Sequence, residues 1–177
     1  MVETATALKL DLGCGQRKMD GFTGVDISPD CAADIVHDLN VIPWPFEDGS
    51  VEEVHASHFF EHLTGAQRIA FMNELWRVLQ PEGKATIITP YWASPRAIQD
   101  PTHQWPPVAE SSYLYFNKQW RQDNGLEHYQ IRCDFDFSFG YNIDAPWSLR
   151  STEARDFAVR HYQNVVSDLH VVLTKRK

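Results

Sequence analysis

The feature that most constrains this chain is the run Leu10-Asp11-Leu12-Gly13-Cys14-Gly15. A short apolar stretch, Ala7 to Leu12, stops at two glycines one residue apart, which is how a buried parallel strand looks where the backbone turns sharply. Glycine at such a strand end lets the main chain approach a ligand where a Cβ would collide. Asp11, two residues before the first glycine, adds a carboxylate beside that bare backbone. The pattern calls for an α/β sheet with a ligand seat at the carboxyl end of its first strand.

The rest of the chain supplies the sheet. Gly24 to Ile27 reads as a second short strand ending at Asp26, Ala33 to His37 as a third ending at Asp38, and Glu53 to Ser57 as a fourth. Thr64 to Leu79 carries apolar residues at helical spacing (Ile69, Phe71, Met72, Leu75, Trp76, Leu79), and Pro81 and Gly83 stop that helix. Lys84 to Thr89 is a fifth strand closed by Pro90. Strict alternation in Cys133 to Tyr141 predicts a sixth, with Phe135, Phe137 and Phe139 on one core-facing side. A helix over Ser151 to Tyr162 and a last strand over Ser167 to Thr174 follow. Strands alternating with helices imply a mostly parallel sheet. Gln16 to Thr23 leaves eight positions after the first turn, so the first helix is one or two turns or absent.

At 177 residues the chain is the size of one domain. We divide it into 7–90, holding the ligand seat; 91–130, where the period fades and Pro95, Pro101, Pro106 and Pro107 stand among aromatics; and 131–177, the final strands and helix. A stretch like 91–130 inside a small domain reads as a lid or binding loop. The short polar start, Met1 to Ala7, and the lack of any apolar run near the roughly 18 residues of a membrane span predict a soluble, cytoplasmic protein without membrane contact. Cys14, Cys31 and Cys133 have no paired short spacing, which suits a reducing compartment, and Cys31 and Cys133 read as small buried residues. A net charge of -8 opposes binding to a nucleic-acid backbone, and Lys175-Arg176-Lys177 reads as a solvated end.

Taken with Asp26 and Asp38, the Leu10–Gly15 segment resembles the glycine-rich first motif of class I S-adenosylmethionine-dependent methyltransferases. Pro45 to Ser50, Glu53 to Leu63 with its Glu61-His62-Leu63 turn, and Glu74 to Lys84 resemble later motifs of that family in order. The resemblance implies a Rossmann-like sandwich whose seven-stranded sheet has an antiparallel last strand, with the first helix shortened and a lid inserted after strand five. It implies S-adenosylmethionine as cofactor, with Gly13, Cys14 and Gly15 passing the methionine part and Asp11 helping to hold its ammonium group directly or through water. Asp26, eleven positions after Gly15, takes the ribose diol. Asp38 takes the adenine amino group, Ile27 and Leu39 give the ring apolar surface, and Ser57 and His58 complete the cofactor set. A nicotinamide or flavin site would want a third glycine near the position of Lys18.

Methyl transfer is an in-line displacement, so a shaped pocket matters most and a base matters only when the acceptor carries a proton. His62 and His103 are the candidates for that base. Tyr91, Trp92, Asp100, Trp105 and Tyr113 are the candidates to meet an acceptor, expected to be a small molecule. His58, Glu61 and His62 would share a helical face and, with His103, could hold a metal. Similar clusters serve methyltransferases of small-RNA ends, but those begin with Glu where this chain has His58, and no metal is expected. A nucleic-acid methyltransferase and a cofactor-binding sensor or partner subunit remain the alternatives. The Asp/Asn-Pro-Pro-Tyr pattern of many nucleic-acid amino-group methylases is replaced here by Ser57-His58.

Overall fold

Seven segments pair into one sheet in the computed structural model, which describes residues 8–177. Ala7, read as the start of the first strand, and the polar start Met1 to Ala7 lie outside the described residues. The strands are β1 (Leu8–Leu12), β2 (Thr23–Asp26), β3 (Ile35–Val36), β4 (Val51–Ser57), β5 (Leu79–Pro90), β6 (Phe135–Ile143) and β7 (Val166–Lys175). Their spatial order is β3-β2-β1-β4-β5-β7-β6. The first five are mutually parallel, and β7 runs antiparallel to both β5 and β6. This is the Rossmann-like α/β sandwich with an antiparallel last strand that the resemblance implied.

The order reverses at β1, which has β2 on one side and β4 on the other, each in register with Asp11. Such a switch point opens a crevice outside the strand ends. Leu10, Leu12, Val25, Val54, Ala56, Ala85 and Ile87 are fully buried along these strands. Helix α1 (Gly65–Val78) covers them with Phe71, Met72, Leu75 and Val78, each such side chain stabilising the fold by roughly 1.5–3 kcal/mol when withdrawn from water. A capping box starts α1: Thr64 Oγ1 accepts from the Gln67 backbone N–H while Gln67 Oε1 accepts from that of Thr64. The helix ends at Val78, before Pro81 can clash with the preceding turn.

Between β1 and β2 the chain forms turns only, so the first helix is absent rather than shortened. In its place, Lys18 Nζ donates to both oxygens of Asp34 at 2.9 and 2.8 Å, and Asp34 accepts from the Gly24 backbone N–H at 2.8 Å.

The 91–130 segment holds α2 (Arg96–Gln99), a 3-10 turn over Glu110–Phe116 and α3 (Lys118–Asp123). Two buried arginines fasten it. Arg68 of α1 donates to the carbonyls of Phe60, Glu61, Gln104 and Pro106, while Arg121 donates to those of Tyr115, Ile131 and Cys133. The segment also sinks Val108, Tyr113 and Phe116 into the core.

α4 (Thr152–His161) joins β6 to β7. Phe135, Phe137 and Phe139 do share a side of β6, but the core covers only one end of it: Phe135 is buried, Phe137 half-buried and Phe139 exposed. All three cysteines are free thiols; Cys133 is buried as expected, and Cys31 is only half-buried because it sits in the β2–β3 connection. Among the described residues, no helix is long and apolar enough to cross a membrane.

Candidate active site

The crevice at the switch point is a cleft of about 310 Å³. Gly13, Asp26, Ile27, Asp38, Leu39, His58 and His62 line it, so seven residues singled out in the sequence converge there. His37, Asn40 and Phe59 also line it and were not anticipated. Their only sequence signal is adjacency to residues that were.

The glycine turn is built for close approach. Gly13 has φ +68°, and a Cβ there would stand 2.5 Å from Phe59 Cδ2, so the ring of Phe59 occupies the space glycine leaves. The Gly13 and Cys14 backbone N–H groups donate to the Val25 carbonyl at 2.8 and 3.3 Å, folding the turn over β2. Gly15 has φ +51° with nothing near its would-be Cβ. Its backbone N–H donates to Asp26 Oδ2 at 2.9 Å, while Ser28 N–H donates to Asp26 Oδ1 at 3.0 Å. These bonds hold the Asp26 carboxylate at the cleft edge with lone pairs to spare. Asp38, accepting from both nitrogens of Asn40, stands farther along the same wall. Ile27 is 64 % exposed and lies along the cleft, an apolar surface awaiting a flat partner. Bare backbone, an empty cradle at Gly15 and two carboxylates on successive strand ends fit a nucleoside with an amino-acid tail.

Four expected members of that set lie outside the cleft lining: Gly15, which holds Asp26 through its N–H, and Asp11, Cys14 and Ser57. Asp11 is 3 % exposed and already engaged, accepting from Met19 N–H at 2.7 Å and paired with His55 Nδ1 at 2.8 Å. Through these two partners it organises the first turn from beneath. His55 faces it because β1 and β4 pair Asp11 with His55 in register. The Cys14 side chain is buried away from the cleft, and burial pushes its thiol up to about 12. Ser57 closes β4 half-buried, outside the cleft lining.

Beyond Phe59 the chain makes a tight turn, a single 3-10 turn over Phe60–His62, entered through His58 with its backbone at φ 54°. His58 Nδ1 lies 3.3 Å from Glu61 Oε1, and this hydrogen bond holds the imidazole above its ordinary pKa. His62 meets the loop after β5. Its Nδ1 is 2.9 Å from Thr102 Oγ1, and that hydroxyl donates to Asp100 Oδ1 at 2.7 Å. The Thr102 hydroxyl and N–H hold the Asp100 carboxyl below its ordinary value, so it is ionised and can only accept. The one hydroxyl hydrogen therefore goes to Asp100, and His62 Nδ1 must be the N–H donor. His103 packs edge-on against His62 with ring centroids 4.7 Å apart, its Nδ1 3.2 Å from the Ala97 carbonyl. In the neutral tautomer these bonds favour, the Nε2 of each ring carries the lone pair.

The expected acceptor-facing residues divide among four places. Asp100 belongs to the histidine relay. Tyr91 and Trp92 line a separate pocket of about 460 Å³ with Glu110, Phe139, Tyr141 and Arg160. Burial, then the Glu110 carboxylate, raises the Tyr91 hydroxyl above its ordinary pKa. Trp105 is 81 % exposed, out in solvent. Tyr113 is a core residue, packed among Phe60, Phe116 and Phe137, because the 3-10 turn that carries it lies against the sheet. A larger groove of about 860 Å³ runs along α1 and residues 128–132, lined by none of these side chains.

Residues 10–87 match the family described as Methyltransferase domain. No curated protein matches the chain. Among solved structures, the chain superposes on a SAM dependent methyltransferase from Archaeoglobus fulgidus with a TM-score of 0.66 at 19 % identity, covering 97 % of this chain and 87 % of that one. Geranyl diphosphate C-methyltransferase from Streptomyces coelicolor A3(2) matches with a TM-score of 0.53 at 18 % identity over 97 % of this chain and 72 % of its own. Phosphoethanolamine N-methyltransferase 2 of Haemonchus contortus, solved with S-adenosyl-L-methionine, matches with a TM-score of 0.52 at 16 % identity over 97 % and 49 %.

Proposed function

We propose that this chain is a class I S-adenosylmethionine-dependent methyltransferase and that it methylates a small polar acceptor entering beside His62 and His103. The observation that carries the reading is the convergence of Gly13, Asp26, Ile27, Asp38 and Leu39 with His58 and His62 on one cleft. Asp26 would accept from the ribose hydroxyls, Asp38 from the adenine amino group, and Ile27 and Leu39 would sandwich the ring. The Gly13 backbone, on the cleft wall, would lie against the amino-acid tail. The cofactor, when bound, supplies an electrophilic methyl group on a sulfonium sulfur.

The chain's own contribution is to orient the acceptor and to relieve it of a proton. His62 Nε2 carries the free lone pair, and the path from its Nδ1–H through Thr102 to ionised Asp100 stabilises the imidazolium formed when that lone pair takes a proton. His103 stands against the same ring and narrows the entrance. The aromatic pocket at Tyr91 and Trp92 would receive the remainder of the acceptor. The net charge of -8 favours a small molecule over a polyanion, and three free thiols suit the cytoplasm.

His62→Ala tests the assignment. Titration calorimetry should show S-adenosylhomocysteine binding nearly unchanged, while S-adenosylhomocysteine release with an acceptor drawn from an amine, carboxylate and hydroxyl panel should fall by roughly 100-fold or more. Full-rate turnover in the variant would remove His62 from the chemistry.

A further inference from the structure

We propose that Glu61, His62 and His103 form a site for one divalent first-row transition-metal ion at the rim of the cofactor cleft. One carboxylate oxygen and two imidazole nitrogens from these residues lie within 4.8 Å of one another. Donors around a single zinc-like ion, at bond lengths of about 2.1 Å, stand roughly 3–3.5 Å apart, so a side-chain adjustment of about an ångström closes the set.

A second observation points to a ligand there. Glu61 is 5 % exposed, and its Oε2 is buried without any hydrogen-bond partner while Oε1 meets His58. A carboxylate oxygen withdrawn from water and left bare is costly, and a cation is the partner that offsets the cost. The tautomers agree with this. Thr102 and the Ala97 carbonyl take the Nδ1–H of His62 and His103, leaving both Nε2 lone pairs free. That arrangement, with the far ring nitrogen hydrogen-bonded to a backbone or side-chain oxygen, is how metal-ligating histidines are oriented. Asp100 Oδ2, 3.9 Å from His103 Nε2, is within reach as a further oxygen.

Two imidazoles and a carboxylate select zinc, manganese, iron or cobalt over magnesium or calcium, which favour all-oxygen shells. Three protein donors leave coordination positions open. On the methyl-transfer reading, those positions take an acceptor oxygen, whose proton affinity the ion lowers; with the ion bound, the His62 lone pair is a ligand and not a base. A second cluster, Cys14, Asp26 and Cys31, is equally tight. Its Cys14 thiol lies buried, where burial disfavours the thiolate a metal needs, and its Cys31 thiol already donates to the Ser28 carbonyl at 3.0 Å.

The test is a titration of chelator-treated protein with Co²⁺, followed by visible absorption, alongside calorimetry with S-adenosylhomocysteine. One equivalent of cobalt should bind with the bands of nitrogen–oxygen ligation. His103→Gln and Glu61→Gln should each weaken binding at least about 10-fold, and Thr102→Val, which touches no ion, by roughly 10-fold. Cys31→Ser should bind as the unaltered protein does. S-adenosylhomocysteine affinity in His103→Gln should be unchanged, which separates failure at the metal from failure at the cofactor. Cobalt binding that survives His103→Gln and Thr102→Val, that vanishes in Cys31→Ser, or that never occurs would overturn the site.

Discussion

On the cofactor side of the cleft, the working groups come from short stretches of chain and are held by backbone: Gly15 N–H fixes Asp26, Ser28 N–H fixes its other oxygen, and the Val25 carbonyl gathers the turn. Over residues 91–130, a segment without periodicity is held by two buried guanidinium groups that reach seven carbonyls in and around it. The first region can be written as a motif because each contact is local to a strand end. The second cannot, because Arg68 secures Glu61 and Gln104 alike across sequence gaps of 7 and 36 positions. The contrast suggests that loss of one arginine loosens an entire wall, whereas loss of one acid on the other side removes a single contact.

Arg68→Ala is the sharpest way to break the comparison. With four carbonyls orphaned near α1, we expect a loss of roughly 3 kcal/mol in unfolding free energy by urea titration. A loss below about 1 kcal/mol would mean that the 91–130 segment does not depend on this clamp. Asp26→Ala comes next. It should leave the fold standing while weakening S-adenosylhomocysteine by about 10- to 100-fold, the equivalent of 1.5–3 kcal/mol for a charged acceptor removed from two hydroxyl donors. Unchanged affinity would move the ribose elsewhere.

The smallest effect is expected at Asp34, exposed on the stapled turn. The Lys18 ammonium, then the Gly24 N–H, hold its carboxyl below the ordinary 3.8, so its contribution is present above that value and lost as pH falls through the depressed one. The melting-temperature difference between Asp34→Asn and the unaltered protein should therefore be small at neutral pH and vanish in strong acid. A difference that persists there would show that hydrogen bonding, not charge, does the stapling.

The sheet was legible because its signals are periodic or punctuated: the Gly-Cys-Gly stop after β1, the helical spacing of α1, and Pro81 all act within a few residues. The acids at the ends of β2 and β3 were legible for the same reason. The Asp11–His55 pair was not legible because the two lie 44 positions apart and are brought opposite only by strand pairing. The core position of Tyr113 was not legible because an aromatic beside prolines reads alike whether it faces a ligand or the core. Arg68 carried a signal that went unused, a cation on the buried face of α1 between Thr64 and Met72. Such a position is tolerable only when every N–H of the guanidinium finds an oxygen.

The missing helix after Gly15 has an electrical consequence. Dinucleotide sites of similar outline rest their pyrophosphate on a helix N-terminus, whose aligned peptide dipoles amount to about half a positive charge. Here the turn over residues 13–22 presents no such pole. A polyphosphate would find no field to hold it, and a ligand bearing a positive sulfur would find none to repel it. Leaving out that one helix would weigh against a polyphosphate more than against a sulfonium, before any side chain is considered.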